Sequence, residues 1–345
     1  MAEAGATGPL QIDFFAIFRQ LWANEQSTKD KIMIRRVWPL AALLAIGACS
    51  GPAIISSGGN NGGGGGDTSS IPPELAKNLK SVSFDGETMK VNIEGGDGHP
   101  AEVTYERDTR LDVPGYSAYR TQETPLDRLY VALGAISTDG SVQAVTVGDG
   151  GVSNVYYAGG SYDRAGGFDA PKTNSADGTV HYAGSYAAVT NVNAPRDGGP
   201  DDVALPVSGS VSGSVIPAQP SRVTGDIFLD TNFTDNTVRG SISNRELVDT
   251  HTALVDVILV PTSIDPTDDP DTRAGTFSGA AEYADQTVIG TYGGIFGGEG
   301  ANSVAGVVHL TEFNPNWENE QEHGVFVLTQ CGPSNTLPIC DNVAP

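Results

Sequence analysis

Beyond residue 70, apolar positions come in short bursts that alternate with polar ones, and no stretch holds them at helical spacing. This pattern predicts strands. Between residues 76 and 160 they are expected at 79–84, 88–93, 102–105, 116–121, 128–136, 141–147 and 152–158, parted by turn dipeptides such as Asp85-Gly86 and Asp139-Gly140. Residues 160–177, rich in Gly, Asp, Pro and Asn, read as a loop and a subdomain boundary. From residue 178 eight more strands are expected: 178–190, 222–232, 236–244, 253–260, 275–283, 287–296, 303–311 and 323–328. Several carry a glycine mid-strand, among them Gly184, Gly240, Gly279 and Gly306. An interior glycine weakens a strand, so its recurrence marks bends where a sheet curls over itself. Eight strands that close on themselves leave no open edge. An antiparallel barrel is therefore expected in preference to an open sandwich.

The N-terminal region is patterned differently. Arg35 and Arg36 lead into an uncharged run from Val37 to Ile46, then small residues and Cys49. The run is far short of the roughly 20 residues a spanning helix needs, and its order is that of a cleaved export signal. Ile46-Gly47-Ala48-Cys49 resembles the lipobox of bacterial lipoproteins. That resemblance implies acylation at Cys49 and attachment to a bilayer; Ser50, which is not Asp, implies delivery to the outer membrane. A secretory signal that precedes a cysteine by chance is the alternative. Residues 1–32 stand ahead of Met33 and are read as a start-site artefact, with translation expected to begin at Met33; a genuine extension is the alternative. After Cys49, Gly- and Ser-rich residues up to Pro73 predict a flexible tether. Cys331 and Cys340 remain, and in an exported protein an even pair predicts a disulfide.

The 345-residue chain carries a formal charge of −23, and about −24 without residues 1–48. Such a surface repels phosphate backbones, so nucleic acid is not an expected partner. Catalytic chemistry finds little footing. No Gly-x-Ser-x-Gly occurs; the nearest approach, around Gly209 and Gly213, has Val211 where a nucleophile would sit. His99, His181, His251, His309 and His323 form no helical pair or Cys/His cluster and are read as structural. The acid-rich loops at Asp197–Asp202 and Asp265–Asp271 lack Ca²⁺-loop spacing and are read as solvated turns. No catalytic, cofactor-binding or metal-binding residue is assigned, and no enzyme activity or cofactor is expected.

The stretch Leu229-Asp-Thr-Asn-Phe233 through Val238-Arg-Gly240-Ser-Ile242 resembles a strand pair in the barrels of transferrin-binding protein B. So does Thr276-Phe277-Ser-Gly279, continuing through Gly290-Thr-Tyr292-Gly-Gly-Ile-Phe296-Gly297 to Ala301-Asn-Ser-Val304-Ala-Gly306. The motif positions are Phe233, Gly240, Gly279, Phe296, Gly297 and Gly306. Gly298 stands where the family often has Pro, Phe296 is not followed by Tyr, and Ser303 replaces an acid. These departures resemble the looser, transferrin-binding-protein-like solute-binding branch. The resemblance covers about residues 178–330. It implies an all-β lobe in which a β "handle" (76–175) precedes an eight-stranded antiparallel barrel (176–330). The signal (33–48), the tether (49–75) and a disulfide-pinned tail (331–345) complete the layout. It further implies a monomeric, surface-exposed outer-membrane lipoprotein that binds a protein or solute through its loops, in iron or haem acquisition. A structural or adhesion lipoprotein without a small ligand is the alternative.

Overall fold

A computed structural model describes residues 66–67, 70–94, 101–153, 155–171, 178–266 and 274–341. Cys49, the signal, the extension at 1–32 and most of the tether lie outside the described residues.

The first sheet is an antiparallel meander of eight strands in sequence order. They are β1 (Gly66–Asp67), β2 (Leu79–Phe84), β3 (Met89–Ile93), β4 (Ala101–Arg107), β5 (Ser117–Thr121), β6 (Tyr130–Ile136), β7 (Val142–Asp149) and β8 (Ala158–Arg164). A one-turn helix, α1 (Pro73–Ala76), precedes β2. The meander folds over itself, so that Leu79, Phe84, Met89 and Val91 of β2 and β3 pack on Tyr119, Ala132, Val145 and Val147 of β5 to β7. The opposite face of β5 to β7 presents Ala118, Val131, Leu133, Val142 and Ala144 to the barrel. Every residue of β7 is buried, because this strand lies in the middle layer of three.

The second sheet contains β9 (Thr179–Asn193), β10 (Pro220–Asn232), β11 (Thr237–Leu247), β12 (Thr252–Ala253), β13 (Val257–Ser263), β14 (Thr276–Glu282), β15 (Val288–Gly297), β16 (Ser303–Thr311) and β17 (Gln321–Gln330). Pairing runs from β10 through β9, β17, β16, β15, β14 and β13 to β11, and β11 pairs back onto β10. Eight strands therefore close into an antiparallel barrel, with β12 a short appendage on β11. Rings fill its interior: Tyr182, Tyr186, Tyr292, Phe296 and Phe326 are all fully buried. Gly306 makes room for that filling, since a Cβ there would collide with the Phe326 ring and the Gly293 carbonyl. Gly240 backs onto the Phe228 carbonyl and Gly279 onto the Tyr292 ring in the same way. These are the close approaches that interior glycine permits.

The β13–β14 ladder has two pairs, Ile258↔Glu282 and Leu259↔Ala281. Pro261, which has no N–H, sits where the β11–β13 register slips between Val238 and Gly240. The expected strand at 253–260 begins instead at Val257 and runs past this slip to Ser263, because Thr252 and Ala253 are taken up in the short β12 pairing with Leu247 and Glu246. A second correction concerns the boundary. The described residues of 152–157 form only an isolated Val152↔Val155 bridge, and the last handle strand is Ala158–Arg164, which runs into the expected 160–177 loop. Gly160 fell in the expected loop and Gly159 just before it, yet both let β8 pack tightly: a Cβ at Gly159 would meet the Ala76 carbonyl and one at Gly160 the Val307 side chain.

Cys331 and Cys340 are disulfide-bonded with Cα atoms 5.6 Å apart. The long β9–β10 connection is held by Arg222, whose guanidinium pairs with Asp249 at 2.7 Å and Asp201 at 2.9 Å. Asp202 of the same loop accepts from Arg196 at 3.1 Å. Two acids of this loop thus serve Arg residues. Asp268, Asp269 and Asp271 lie outside the described residues.

Candidate functional site

Antiparallel connectivity gathers the β10–β11, β13–β14 and β15–β16 turns at one end of the barrel, and there the handle meets it. Phe296 is the hub. Its ring lies 5.4 Å from Tyr182, 5.1 Å from Phe233 and 5.2 Å from Phe277. Phe168, just after β8, reaches Phe233 at 6.3 Å, and Arg164 stands 6.0 Å above the Phe168 ring. The Arg164 Nη1 donates to the carbonyls of Phe296 and Ala274, each at 2.8 Å. Two of the six motif residues, Phe233 and Phe296, touch here, and Gly297 is adjacent. Gly240, Gly279 and Gly306 lie within the barrel wall and have packing roles.

The β15–β16 turn is wedged against the handle. A Cβ on Gly297 would stand 2.6 Å from Val142 Cγ1, and one on Gly298 would stand 2.6 Å from Asp139 Oδ2. Gly298 has φ of 80°, in the left-handed region that favours glycine. The Gly300 amide donates to Asp169 at 2.8 Å, and the Tyr182 hydroxyl donates to the Ala301 carbonyl at 2.6 Å. Between these contacts lies an open cleft of about 690 Å³. Asp139, Ser141, Asp169 and Pro171 line it from the handle side, and Gly298, Glu299, Gly300, Asn302 and Gln330 from the barrel.

Asp139 accepts hydrogen bonds from the hydroxyls of Ser137 (2.6 Å), Ser141 (2.8 Å) and Ser303 (3.3 Å) and from the Ser141 amide (3.1 Å). Burial pushes its pKa up, but the bonds from Ser137, Ser141 and Asn302 outweigh it and hold the carboxyl below its ordinary value. Asp139 is thus an anion whose Oδ1 is already engaged four times by the fold. The serine hydroxyls are spent on it, and the lining contains no histidine, so the cleft has no nucleophile–base pair. With the Asp169 and Glu299 carboxylates and the Asn302 and Gln330 amides, it suits a ligand that brings hydrogen-bond donors or positive charge. The sequence marked Asp139 only as a turn residue and Gly298 only as a motif departure, and it gave no sign that these four separate segments meet.

Among the described residues, no group of three or more His, Cys, Asp and Glu side chains is placed to hold a metal ion. His181 stacks on Phe228 and His251 is exposed beside Glu246. His309 and His323, 14 positions apart, are brought face to face under the handle, with ring centroids 4.4 Å apart. His99 lies outside the described residues.

No family model and no curated protein matches the chain. Among solved structures it is similar to a double mutant of transferrin-binding protein B from Haemophilus parasuis Hp5, at 12% identity and TM-score 0.35, over 73% of this chain and 54% of that one. It is also similar to intact Ap-TbpB with its N and C lobes, at 12% identity and TM-score 0.34, over 74% and 55%. A third is isotype 1 transferrin-binding protein B from serogroup B Neisseria meningitidis, at 13% identity and TM-score 0.32, over 73% and 52%. The chain spans about half the length of these structures, and its likeness to them is one of fold.

Proposed function

We propose that this chain is a surface-exposed outer-membrane lipoprotein, anchored through acylated Cys49. Its handle-and-barrel lobe captures a protein or solute ligand at the handle–barrel junction and performs no catalysis on it. The observation that carries the reading is where space is left. Packed rings close the barrel interior, whereas the junction keeps a cleft of about 690 Å³ walled by both sheets. A filled barrel leaves ligand contacts to its connecting segments, which a rigid scaffold positions. The lipobox-like run before Cys49 and the Gly-rich segment after it support presentation on a leash. Iron or haem acquisition is the role this reading favours.

Two measurements test it. Metabolic labelling with palmitate should mark the wild-type chain and leave Cys49→Ser unmarked. The unanchored Cys49→Ser chain should then bind saturably to one of a defined panel: transferrin, haem, haem-carrier proteins and ferric chelates. Glu299→Arg should weaken that binding at least tenfold. No label at Cys49 would overturn the lipid-anchored reading, and label without binding across the panel would leave a structural lipoprotein.

A further inference from the structure

On the outer face of the barrel wall, covered by the handle, three polar side chains stand in register. Thr291 of β15 pairs with His309 of β16, and His309 pairs with His323 of β17. The next residue in the row is Val189 of β9. An apolar side chain is therefore accommodated in this interface, yet three polar ones occupy it. His309 and His323 are 7% and 1% exposed. The buried Thr291 Oγ1, His309 Nε2 and both ring nitrogens of His323 have no hydrogen-bond partner. Neither has the hydroxyl of Tyr156, which descends from the segment after β7, its ring 6.2 Å from His323. Gly148 admits that phenol, since a Cβ there would lie 2.7 Å from its oxygen.

Buried groups of this kind are costly when unpaired, and their convergence from two sheets points to a ligand. The chemistry is specific. Neutral imidazole is the commonest nitrogen ligand for borderline divalent metals. The Gln321 side chain hydrogen-bonds the His309 ring. With Nε2 unpartnered, that bond falls on Nδ1 and leaves Nε2 as the free lone pair, the orienting arrangement that metal-ligating histidines use. Two imidazoles binding one metal at about 2.0–2.1 Å bring their nitrogens roughly 3–3.5 Å apart. The two rings stand stacked with centroids 4.4 Å apart, and χ2 is a soft torsion for histidine. Lys77 faces both imidazoles from the end of α1 and opposes positive charge there, while Asp149 and Glu322, which act on Tyr156, are themselves paired with Arg128 and Arg245, so the imidazole nitrogens must supply the affinity.

We infer that His309, His323 and Tyr156 form a site for a borderline divalent transition-metal ion, of the Zn²⁺ class, that staples the handle to the barrel wall. The site is separate from the junction cleft and does not depend on what the cleft binds.

The test uses the full chain, stripped with chelator and titrated with Zn²⁺ by calorimetry and with Co²⁺ by absorption. One equivalent of Zn²⁺ should bind and raise the unfolding temperature. His309→Phe and His323→Phe, which keep ring volume, should each weaken binding at least tenfold, whereas His181→Ala should leave it unchanged. Absence of saturable binding, or one equivalent persisting in folded His323→Phe, would overturn the site. Should the phenylalanine variants fail to fold, X-ray absorption of the Zn²⁺-loaded wild type decides: two imidazoles in the metal shell support the site, and fewer than two refute it.

Discussion

Arg164 donates from one guanidinium nitrogen to both the Phe296 and the Ala274 carbonyls at 2.8 Å, so the last handle strand is bonded directly to the barrel lip. Removal of that side chain leaves two half-buried carbonyls without a donor and uncovers the Phe168 ring. Arg164→Ala should destabilise the lobe by about 2–3 kcal/mol in urea unfolding. A loss below about 0.5 kcal/mol would mean that the lip contact contributes nothing.

At the far end of the barrel, Arg245 and Glu322 form an ion pair 2.7 Å apart with both side chains fully buried. The Tyr186 hydroxyl donates to the other Glu322 oxygen at 2.7 Å, and Arg245 also donates to the Val255 carbonyl at 2.6 Å. Breaking such a pair strands a charge, so Arg245→Met alone should cost about 3–5 kcal/mol. Replacing both residues, as Arg245→Met with Glu322→Leu, should recover at least half of that loss. Additive losses in the double variant would refute the pairing.

Asp163 gives an unusual pH dependence. Burial raises its carboxyl to about 7, against the opposing influence of the Arg164 backbone bond and charge, and its Oδ2 has no partner. A carboxyl raised in the folded state destabilises progressively as pH climbs from the unfolded value near 3.8 to the folded value near 7. Above that the penalty is constant. Asp163→Asn should therefore stabilise the protein at pH 8, by on the order of 2 kcal/mol, and change little at pH 4. Equal effects at both pH values would contradict the assignment.

The interior glycines are steric, so their replacement should separate by location. Gly306→Ala drives a methyl into the Phe326 ring and should cost about 1–3 kcal/mol. Gly167→Ala and Gly213→Ala, with nothing within 4 Å, should stay within about 0.5 kcal/mol. Thermal unfolding of the three variants checks the ranking.

The barrel was the most legible part of the chain, because its apolar runs are bounded by turn residues, although a strand such as β16, buried along nearly its whole length under the handle, does not alternate. Where reading failed, a local feature overrode the pattern. The start of β13 was misplaced because Thr252 and Ala253 pair separately as β12, and β8 escaped notice because Gly159 and Gly160 sacrifice side chains for close packing. The junction cleft was illegible for another reason: Asp139, Asp169, Glu299 and Gln330 meet only once the handle is docked. The His309–His323 pair was hidden in the register of β16 against β17, which the strand pattern alone does not specify.

An anchored lobe that presents its handle–barrel cleft to the outside, as proposed, leaves the cleft rim open to reagents that cannot cross a membrane. Glu299→Cys places a thiol on the cleft rim, and the disulfide occupies the two C-terminal cysteines. Treatment of intact cells with a membrane-impermeant maleimide should label Glu299→Cys and leave the parent chain unlabelled. Labelling that appears only after the outer membrane is broken would place the cleft inside and contradict the account.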